Sequence, residues 1–300
     1  LPEALIQSLR EKADAFFALP AEEKKKCRAD GIIGYLGYGD ENVAATLGKR
    51  TRGADLVESL NFPGYQAPES WKAKEAFDEC PWQAADWMAS VPQELQEVAR
   101  KYWAAVTELM QALMRLTEVA LDLPIGFFDA SFAEPGTLLK LAYYPAAGEL
   151  QEVEGKGEPQ QRYGAHTDYD GFTILQRDPA DASQGGGLEI QRDGSTDWIA
   201  PPAPPRTLTI NIGDLLARWT NGRWKATLHR VARAPPGRAS RVSIVYFTGP
   251  NPETLVEALP SEKCSQGEKL YPPITAKDHV EAKLNAAVHV EPESKRARTE

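Results

Sequence analysis

The stretch GAHTDYDGFTIL, from Gly164 to Leu175, carries the pattern that decides both the fold and the position of its site. Its residues are typical of strand, and they place His166 and Asp168 two positions apart. Side chains two apart on a strand point to the same face, so this histidine and this carboxylate are expected to aim at one point in space. The rest of the chain should then supply further strands and the groups that complete a site.

Short strand-like segments separated by turn signals continue over the second half of the chain. Asp193-Gly194 lies at the centre of a predicted hairpin, and Asn221-Gly222 marks a second turn. The predicted strands lie in TLLKLAYYP, RYGAHTD, GFTILQRD, GGGLEIQRDGSTDWIAPP, TLTINIGD, LARWT, RWKATLHRV and RVSIVYF. About eight short strands without intervening helices are typical of an antiparallel sandwich or barrel, and we expect a double-stranded β-helix, or jelly roll.

The first part of the chain shows helical patterns instead. One helix is expected before Pro20, where apolar residues recur at helical spacing. These residues are Leu5, Leu9, Ala13 and Phe16. A second short helix is expected in AEEKKKC, an irregular loop in GIIGYLGYGDEN, and a short strand or turn in DLVESLNF.

The strongest helical signal begins near Ser90. Ser90 and Gln93 have the spacing of a capping box, and a long apolar stripe follows them. The stripe consists of Leu95, Val98, Tyr102, Val106, Leu109, Leu113 and Leu116. A last helix is expected in TAKDHVEAKLNAAV. The patterns divide the chain into an N-terminal helical cap region over residues 1–125, a jelly-roll domain over 126–275, and a C-terminal helix and tail over 276–300.

Composition limits the class of protein and its partners. The 300 residues are 42% hydrophobic and 26% charged, which is ordinary for a globular protein. A formal net charge of -9 disfavours nucleic acid as a partner, because phosphates are repelled. The three cysteines are far apart and odd in number, which favours a reducing compartment. No apolar run approaches the about 18 residues of a membrane span. We therefore expect a cytoplasmic monomer with no nucleic-acid or membrane partner.

A second histidine completes a ligand set. His229 lies near the end of another predicted strand, in RWKATLHRV. With His166 and Asp168 it forms a set of two imidazoles and one carboxylate, which leaves adjacent coordination positions open, as in iron(II) oxygenases. A structural zinc site would have a closed shell of protein ligands, usually with cysteine, and no cysteine is near. The remaining histidines, His279 and His289, are interpreted as surface residues.

An anion-binding pair lies on a following strand. Arg241 and Ser243 are two apart in RVSIVYF, and a guanidinium beside a hydroxyl group binds a carboxylate well. Metal ligands and this pair on adjoining strands indicate a 2-oxo acid that chelates the metal at one end and pairs with arginine at the other. A second Arg-x-Ser occurs at Arg238 and Ser240, but it follows a Pro-Pro-Gly turn, whereas Arg241 opens an apolar strand.

The order of these motifs resembles a known family. His-x-Asp, a second histidine and Arg-x-Ser occur in the order found in the iron(II)/2-oxoglutarate-dependent oxygenases, and the chain is most similar to their isopenicillin N synthase-like group. The segments FFALPAEEKKK, LLKLAYYP, NIGD and YPPIT are also similar to segments of that group. The resemblance therefore covers nearly the whole chain. Two departures are Ala142, where the group usually has asparagine, and the lack of the group's first strand ahead of the first helix.

The resemblance implies an enzyme that uses iron(II), 2-oxoglutarate and O2 to oxidise a small organic substrate. Hydroxylation with release of succinate and CO2 is the default outcome, and desaturation or ring closure are variants of it. The implied positions are His166, Asp168 and His229 for iron(II), and Arg241, Ser243 and Tyr144 for 2-oxoglutarate. For Tyr144 a second interpretation is a core tyrosine whose hydroxyl group has a partner in the barrel.

Aromatic residues near the predicted barrel mouth are candidates for substrate contacts. They are Tyr35, Tyr38, Phe62, Phe172 and Phe247. Each of them is equally well explained as part of a hydrophobic core. A mouth lined by aromatic side chains suits a small, largely apolar organic substrate.

Three other functions fit parts of the same pattern. The first is an iron oxidase of the same fold that uses no 2-oxoglutarate, in which Arg241 and Ser243 bind a substrate carboxylate. The second is a catalytically silent binding protein, although such a protein has no need of three intact metal ligands. The third is a zinc hydrolase with the same ligand set, which would be indifferent to oxygen.

Overall fold

The computed structural model describes residues 1–29, 31–48, 53–64, 86–149, 160–179, 181, 186–233, 236–265 and 267–288. The helices are α1 (Glu3–Phe17), α2 (Ala21–Lys25), α3 (Gln93–Ala120), α4 (Asp214–Trp219), α5 (Glu262–Ser265) and α6 (Ala276–Val288). The strands are β1 (Gly34–Leu36), β2 (Glu58–Pro63), β3 (Thr137–Tyr144), β4 (Tyr163–His166), β5 (Phe172–Gln176), β6 (Leu188–Gln191), β7 (Trp198–Ile199), β8 (Thr209–Ile212), β9 (His229–Val231), β10 (Arg241–Thr248), β11 (Leu255–Val256) and β12 (Ile274–Thr275). Two short 3-10 helices span Val43–Leu47 and Asp86–Ser90.

The strands of the described residues form two main sheets, and their neighbours pair antiparallel. One sheet has six strands in the order β1-β2-β3-β10-β5-β8, and the other has four in the order β4-β9-β6-β7. Strands β11 and β12 pair separately. The predicted hairpin is present as β6 and β7, with Ile190 opposite Ile199. The expectation of short antiparallel strands in the second half of the chain is confirmed.

Each face of the six-stranded sheet has its own role. Alternate side chains of a strand point to opposite faces. In β10 the even-numbered Val242, Ile244 and Tyr246 are fully buried in the main hydrophobic core. The odd-numbered side chains face a cavity between the two sheets instead, and they are Arg241, Ser243, Val245 and Phe247. One strand therefore contributes to both the core and the candidate site.

The main core lies between helices α1 and α3 and the even face of β10. Leu9 and Phe16 of α1 and Tyr102 of α3 are at most 1% exposed and belong to this core. Thr107 of α3 also exchanges a hydrogen bond of 2.7 Å with the hydroxyl group of Tyr246. Burying each large apolar side chain stabilises the fold by about 1.5–3 kcal/mol, so this packing holds the sheet in place.

The start of α3 differs from the prediction. The helix begins at Gln93 after Pro92, with no side-chain hydrogen bond at its N-cap, and Ser90 ends the preceding 3-10 helix. The predicted capping box between Ser90 and Gln93 is therefore wrong. Pro92 is itself the N-cap residue, and proline has no side-chain oxygen that could accept a hydrogen bond from the first turn of the helix.

The predicted apolar stripe of α3 is confirmed only for the first half of the helix. Leu95, Val98, Tyr102 and Val106 are buried, but Leu116 is 64% exposed. The later part of the helix buries Met110 and Met114 instead, and Met114 packs in a second hydrophobic cluster with Leu121, Phe128 and Trp219. The buried face shifts because the end of α3 meets this second cluster.

The segment LARWT is helical, and its predicted strand is wrong. Helix α4 starts after Gly213, and it buries Leu215, Leu216 and Trp219 in the second cluster. A spacing of three and four residues between apolar side chains is helical, and an acidic residue, Asp214, lies in the first turn where it favours a helix. The predicted loop GIIGYLGYGDEN is also partly wrong, because β1 lies inside it and pairs with β2.

The C-terminal helix α6 is present as predicted and packs against the 3-10 helix Val43–Leu47. Its residue His279 is only 9% exposed, and its Nε2 lies 3.2 Å from Asp214 Oδ2. The prediction that His279 is a surface residue is therefore wrong, because α6 turns this side of the helix toward α4. His289 lies outside the described residues. None of the helices in the described ranges combines the length and apolar character needed to cross a membrane.

Candidate metal and co-substrate site

The two sheet strands β4 and β9 bring the predicted metal ligands together. His166, the last residue of β4, lies opposite His229, the first residue of β9. Asp168 Oδ1 lies 3.5 Å from His166 Nε2 and 3.7 Å from His229 Nε2. Strand β4 ends before Asp168, so the position of this carboxylate depends on the following loop, where its backbone oxygen accepts a hydrogen bond of 2.8 Å from Asp214 N. One ligand atom from each of the three residues lies within 4.8 Å of the other two.

The second ring nitrogen of each histidine is held by a backbone carbonyl group. His166 Nδ1 lies 2.8 Å from the oxygen of Gly164, and His229 Nδ1 lies 2.9 Å from the oxygen of Thr227. A carbonyl oxygen accepts hydrogen bonds only, so each Nδ1 carries the proton. Each Nε2 therefore presents its lone pair toward Asp168, which is the tautomer that binds a metal ion.

One oxygen of the Asp168 carboxylate accepts hydrogen bonds from the protein, and the other is directed toward the place where a metal ion would bind. Its Oδ2 accepts hydrogen bonds of 2.6 Å from Thr173 Oγ1 and of 2.6 Å from Asn211 Nδ2. Its Oδ1 faces the two histidines. Burial alone would raise the pKa of Asp168, but the neighbouring imidazole of His229 and the hydrogen bonds of the site lower that pKa below its ordinary value. This carboxyl group is therefore ionised at neutral pH.

The donor set fits iron(II). Burial lowers the pKa of His229, which favours the neutral imidazole that a metal ion requires. Two imidazole nitrogens and one carboxylate oxygen are the ligands of non-haem iron(II) oxygenases, and three protein ligands leave positions open. Among the described residues, no other group of histidine, cysteine or acidic side chains has metal-binding geometry.

The predicted anion-binding pair lies at the other end of the cavity between the sheets, which we call the inner cavity. Arg241 Nη1 donates a hydrogen bond of 2.7 Å to Ser243 Oγ. Tyr144 lies opposite Arg241 in the register of β3 and β10, and its ring centroid is 4.4 Å from the guanidinium carbon. All three residues are at most 5% exposed, and they line the same inner cavity as the metal cluster.

The second Arg-x-Ser has a different place. Arg238 is buried, but its Nη2 donates to Asp181 Oδ1 at 2.6 Å, and it is not among the side chains that line the inner cavity. Ser240 is exposed. The geometry therefore favours Arg241 over Arg238 as the arginine that faces the metal cluster.

A second cavity, which we call the outer cavity, also adjoins the metal cluster. It measures about 280 Å³ and reaches His166 and Asp168. Helix α6 contributes Val280 and Leu284 to its wall. Its aromatic lining side chains are Tyr35, Tyr163, Tyr169 and Phe247.

The five predicted aromatic contacts divide into two groups. Tyr35 and Phe247 line the outer cavity. Phe62 is fully buried in the main core against Trp87, and Phe172 lies in the second cluster. Tyr38 is 36% exposed and lines neither cavity. The last three therefore do not face the metal cluster, because their strands and loops turn them toward the core or the solvent.

Sequence patterns missed a buried polar network behind His166. Lys140 Nζ donates to both oxygens of Glu41 at 2.8 and 2.6 Å, and Tyr163 OH donates to Glu41 Oε2 at 2.8 Å. The ring of Tyr163 packs edge-on against His166, with ring centroids 5.0 Å apart. This network therefore fixes the orientation of a candidate ligand. No local spacing signals it, because its members come from distant segments.

A second missed residue, Asp55, fixes the strand that carries His166. Its Oδ1 accepts a hydrogen bond of 2.9 Å from Gly164 N, and its Oδ2 accepts one of 2.9 Å from Val43 N. A Cβ at Gly164 would lie 2.9 Å from the Cβ of Ala44, so the close approach needs glycine. Burial raises the pKa of Asp55 to about 7.

Comparison with known proteins agrees with this chemistry. Residues 135–250 match the 2OG-Fe(II) oxygenase superfamily, and residues 1–85 match the family described as non-haem dioxygenase in morphine synthesis N-terminal. Validamycin A dioxygenase of Streptomyces hygroscopicus subsp. limoneus is 33% identical over 84% of this chain and 67% of its own length. The 2-oxoglutarate-Fe(II) type oxidoreductase hxnY of Emericella nidulans is 30% identical over 93% of this chain and 76% of its own length.

A solved structure shows the same similarity. A full-length Neurospora crassa protein, crystallised in complex with alpha-KG and thymine, superposes with a TM-score of 0.73 at 25% identity, covering 95% of this chain and 84% of that chain. The chain belongs to the 2OG-Fe(II) oxygenase superfamily, as its motifs predicted. It is a 2-oxoglutarate-dependent iron(II) dioxygenase, and its cofactors are iron(II), 2-oxoglutarate and O2.

Proposed function

We propose that this dioxygenase hydroxylates a small organic molecule and converts 2-oxoglutarate to succinate and CO2. The observation that carries the proposal is the inner cavity, which has a metal-binding cluster at one end and a buried arginine at the other. A 2-oxo acid with a second carboxylate matches both ends. The two facing sheets correspond in this proposal to the double-stranded β-helix expected from the sequence.

The ligand assignments are part of the proposal. His166 and His229 bind iron(II) through Nε2, and Asp168 binds it through Oδ1. Arg241 and Ser243 bind the far carboxylate of 2-oxoglutarate, with Tyr144 beside them. Bound iron(II), with O2 and 2-oxoglutarate, supplies the oxidising power that breaks a C–H bond.

The protein side chains orient the reactants. The guanidinium of Arg241 sets the direction of 2-oxoglutarate in the inner cavity, because its bond to Ser243 fixes its plane. Tyr163 and Glu41 hold the ring of His166, and Asn211 and Thr173 hold the carboxylate of Asp168. Apolar walls from β6 and β10 keep water away from the space between the two ends.

We propose that the substrate enters the outer cavity. Tyr35, Phe247 and Leu284 give it a largely apolar wall, and Arg28 and Asp40 form an ion pair of 2.5 Å among its lining residues. A small molecule with an apolar body and a polar end would fit this wall. One relative is named for validamycin A, and one similar solved structure is a complex with thymine. These two molecules differ in chemistry, so we assign neither of them to this chain as its substrate. A cytoplasmic location and a monomeric state remain predictions.

The hydroxylation is tested with isotopic oxygen. The iron-loaded protein and 2-oxoglutarate are incubated under ¹⁸O₂ with a library of small molecules, and the products are analysed by mass spectrometry. A product that gains one ¹⁸O atom, together with an equal amount of succinate, supports hydroxylation. A product that loses two hydrogens without gaining oxygen would indicate desaturation. A product formed without consumption of 2-oxoglutarate would indicate the alternative iron oxidase.

A further inference from the structure

Four buried arginines surround the far end of the inner cavity. We call them the arginine cluster, and each is at most 7% exposed: Arg162, Arg177, Arg238 and Arg241. Burial lowers the pKa of Arg162 to about 10, and the neighbouring charges of Arg241 and Arg238 act in the same direction. Positive charge is therefore crowded at this end. A single arginine suffices for one carboxylate. Arg162 and Arg177 also donate hydrogen bonds to backbone carbonyl groups, those of Pro145, Pro201 and Pro202, so it is the role of Arg238 that calls for an explanation.

One carboxylate, Asp181, contacts three members of the arginine cluster. Its Oδ1 accepts a hydrogen bond of 2.6 Å from Arg238 Nη2. Its Oδ2 lies 3.5 Å from Arg241 Nη1 and 3.7 Å from Arg177 Nε. Asp181 is 4% exposed and lines the inner cavity together with Arg241 and Ser243. It is therefore a buried negative charge inside the proposed co-substrate site.

The two oxygens of Asp181 are not equally satisfied. Within the described residues, Oδ2 has no hydrogen-bond partner, and neither has the Nε of Arg241. The carboxylate packs directly against Gly186, where a Cβ would lie 2.1 Å from Oδ2, so this close approach requires glycine. Its backbone N also donates to the oxygen of Asp178 at 2.9 Å. A carboxylate oxygen that forms ion pairs but accepts no hydrogen bond thus stays close to the guanidinium that is proposed to bind 2-oxoglutarate.

The negative charge of Asp181 repels a second carboxylate that binds beside it. Charges that are buried a few ångströms apart interact more strongly than they would in water. When the far carboxylate of 2-oxoglutarate binds Arg241, it approaches the Oδ2 of Asp181. Arg238 holds the other oxygen and limits this repulsion. The affinity for a dicarboxylate therefore depends on how Asp181 is shared between Arg238 and Arg241.

We propose that Asp181 is an internal counter-carboxylate that neutralises the arginine cluster and lowers its affinity for 2-oxoglutarate. It is a positioning residue, acting through Arg241, and the inference rests on the proposed binding of 2-oxoglutarate there. It also explains Arg238, whose Arg-x-Ser motif does not face the metal cluster. Arg238 holds Asp181 in place.

The test is equilibrium binding, measured by calorimetry with the iron(II) protein kept free of oxygen. In Asp181→Asn, which keeps the shape and removes the charge, the Kd for 2-oxoglutarate should fall at least about fivefold. Pyruvate lacks the far carboxylate, so its Kd should not change. The matched control is Asp178→Asn, three positions earlier, whose carboxylate forms an ion pair of 3.3 Å with Arg10. It should leave both affinities unchanged.

A second variant keeps the inference testable if Asp181→Asn does not fold. Arg238→Gln releases Asp181 toward Arg241 and should raise the Kd for 2-oxoglutarate, again without effect on pyruvate. An unchanged or weaker affinity in Asp181→Asn, or an equal gain for pyruvate, would overturn the inference. If the wild-type protein itself does not bind 2-oxoglutarate, the proposed function fails, and the role of Asp181 fails with it.

Discussion

At the scale of single residues, Asp168 shows how the site limits a carboxylate to one ligand atom. Thr173 and Asn211 occupy its Oδ2, so Oδ1 is directed at the two histidines. Hydrogen-bond partners behind a metal ligand fix its orientation and raise the affinity for the metal. The amide of Asn211 is therefore important although it is not itself a proposed ligand.

Removal of this amide should weaken iron binding. In Asn211→Ala the carboxylate of Asp168 loses one of two hydrogen bonds and can rotate, and we predict a loss of about 10–100-fold in iron(II) affinity. Anaerobic titration against a competing chelator measures this change. The control is Asn285→Ala, an exposed position of α6. Equal affinities in the two variants would show that Oδ2 needs no partner.

Asp55 should make the metal-free protein less stable as the pH rises. Its folded pKa of about 7 lies above the ordinary 3.8, so the folded state binds this proton more tightly than the unfolded state. The resulting stability is present below about pH 4 and is lost as the pH rises to 7. Between pH 5 and pH 8 the loss amounts to roughly 3 kcal/mol. Asp55→Asn removes the titrating group, and its free energy of unfolding should fall less over this interval.

Chemical denaturation of both proteins at pH 5 and pH 8 provides the comparison. In each protein we compare the change in the free energy of unfolding between the two pH values. The absolute free energies are not compared, because the amide of the Asp55→Asn variant cannot accept both backbone hydrogen bonds. The same decrease in both proteins would contradict the assignment to Asp55. Asp170, whose pKa burial also raises to about 7, contributes in the same direction in both.

Apart from His229, a histidine in another predicted strand, and Tyr144, implied by the family resemblance, the site residues that could be predicted from the sequence are those with short, regular spacing. His166 and Asp168 are two positions apart, and so are Arg241 and Ser243. Both pairs line the inner cavity. Glu41, Lys140, Asp55 and Asp181 have no such spacing, because their partners lie far away in the chain. A lysine in a strand gives no sign that it is buried. Such residues become visible only when the register of the sheet is known.

At the scale of elements, β10 separates stability from binding by its two faces. Ile244 is fully buried in the main core, whereas its neighbour Val245 faces the inner cavity. Ile244→Ala should reduce the free energy of unfolding by about 2–5 kcal/mol. Val245→Ala should reduce it by less, since its side chain has fewer tightly packed neighbours, and it should alter ligand affinity instead. Urea denaturation of both variants measures the difference, and equal losses would contradict the two-faced strand.

The elements that the sequence did not predict owe their form to tertiary packing. Strand β1 is short and rich in glycine, and it exists because β2 pairs with it along Gly34–Leu36. Helix α4 begins shortly after β8. It has only six residues, so its apolar side chains fit the pattern of a strand as well as that of a helix. In contrast, α1 and the first half of α3 have a long apolar stripe, and both are observed as predicted.

At the scale of the whole molecule, the N-terminal region and the strands of the second half share one sheet. β2 pairs with β3 over Glu58–Pro63, and the ion pair between Lys140 and Glu41 also joins the two parts of the chain. The division at residues 125 and 275 remains a prediction. Because the proposed ligands come from β4, β9 and the loop after β4, a metal bound by them would connect segments that are distant in sequence.

Metal binding should therefore stabilise the folded protein. A ligand that binds only the folded state adds about 2.7 kcal/mol at a concentration of 100 times its Kd. We predict that Mn²⁺, used in place of iron(II), raises the Tm, and that 2-oxoglutarate raises it further. Differential scanning calorimetry measures both increments. Asp168→Ala should lose the first increment, and an equal response in that variant would show that the metal binds elsewhere.

The most direct measurement of the central claim is succinate formation from 2-oxoglutarate. The protein is loaded with iron(II) without oxygen, succinate is measured before and after O2 is admitted, and Asp168→Ala is treated in the same way. We predict succinate that depends on oxygen in the wild-type protein and none above background in the variant. Tight iron binding without any succinate would contradict the use of 2-oxoglutarate, and equal succinate from the variant would contradict the proposed roles of His166, Asp168 and His229.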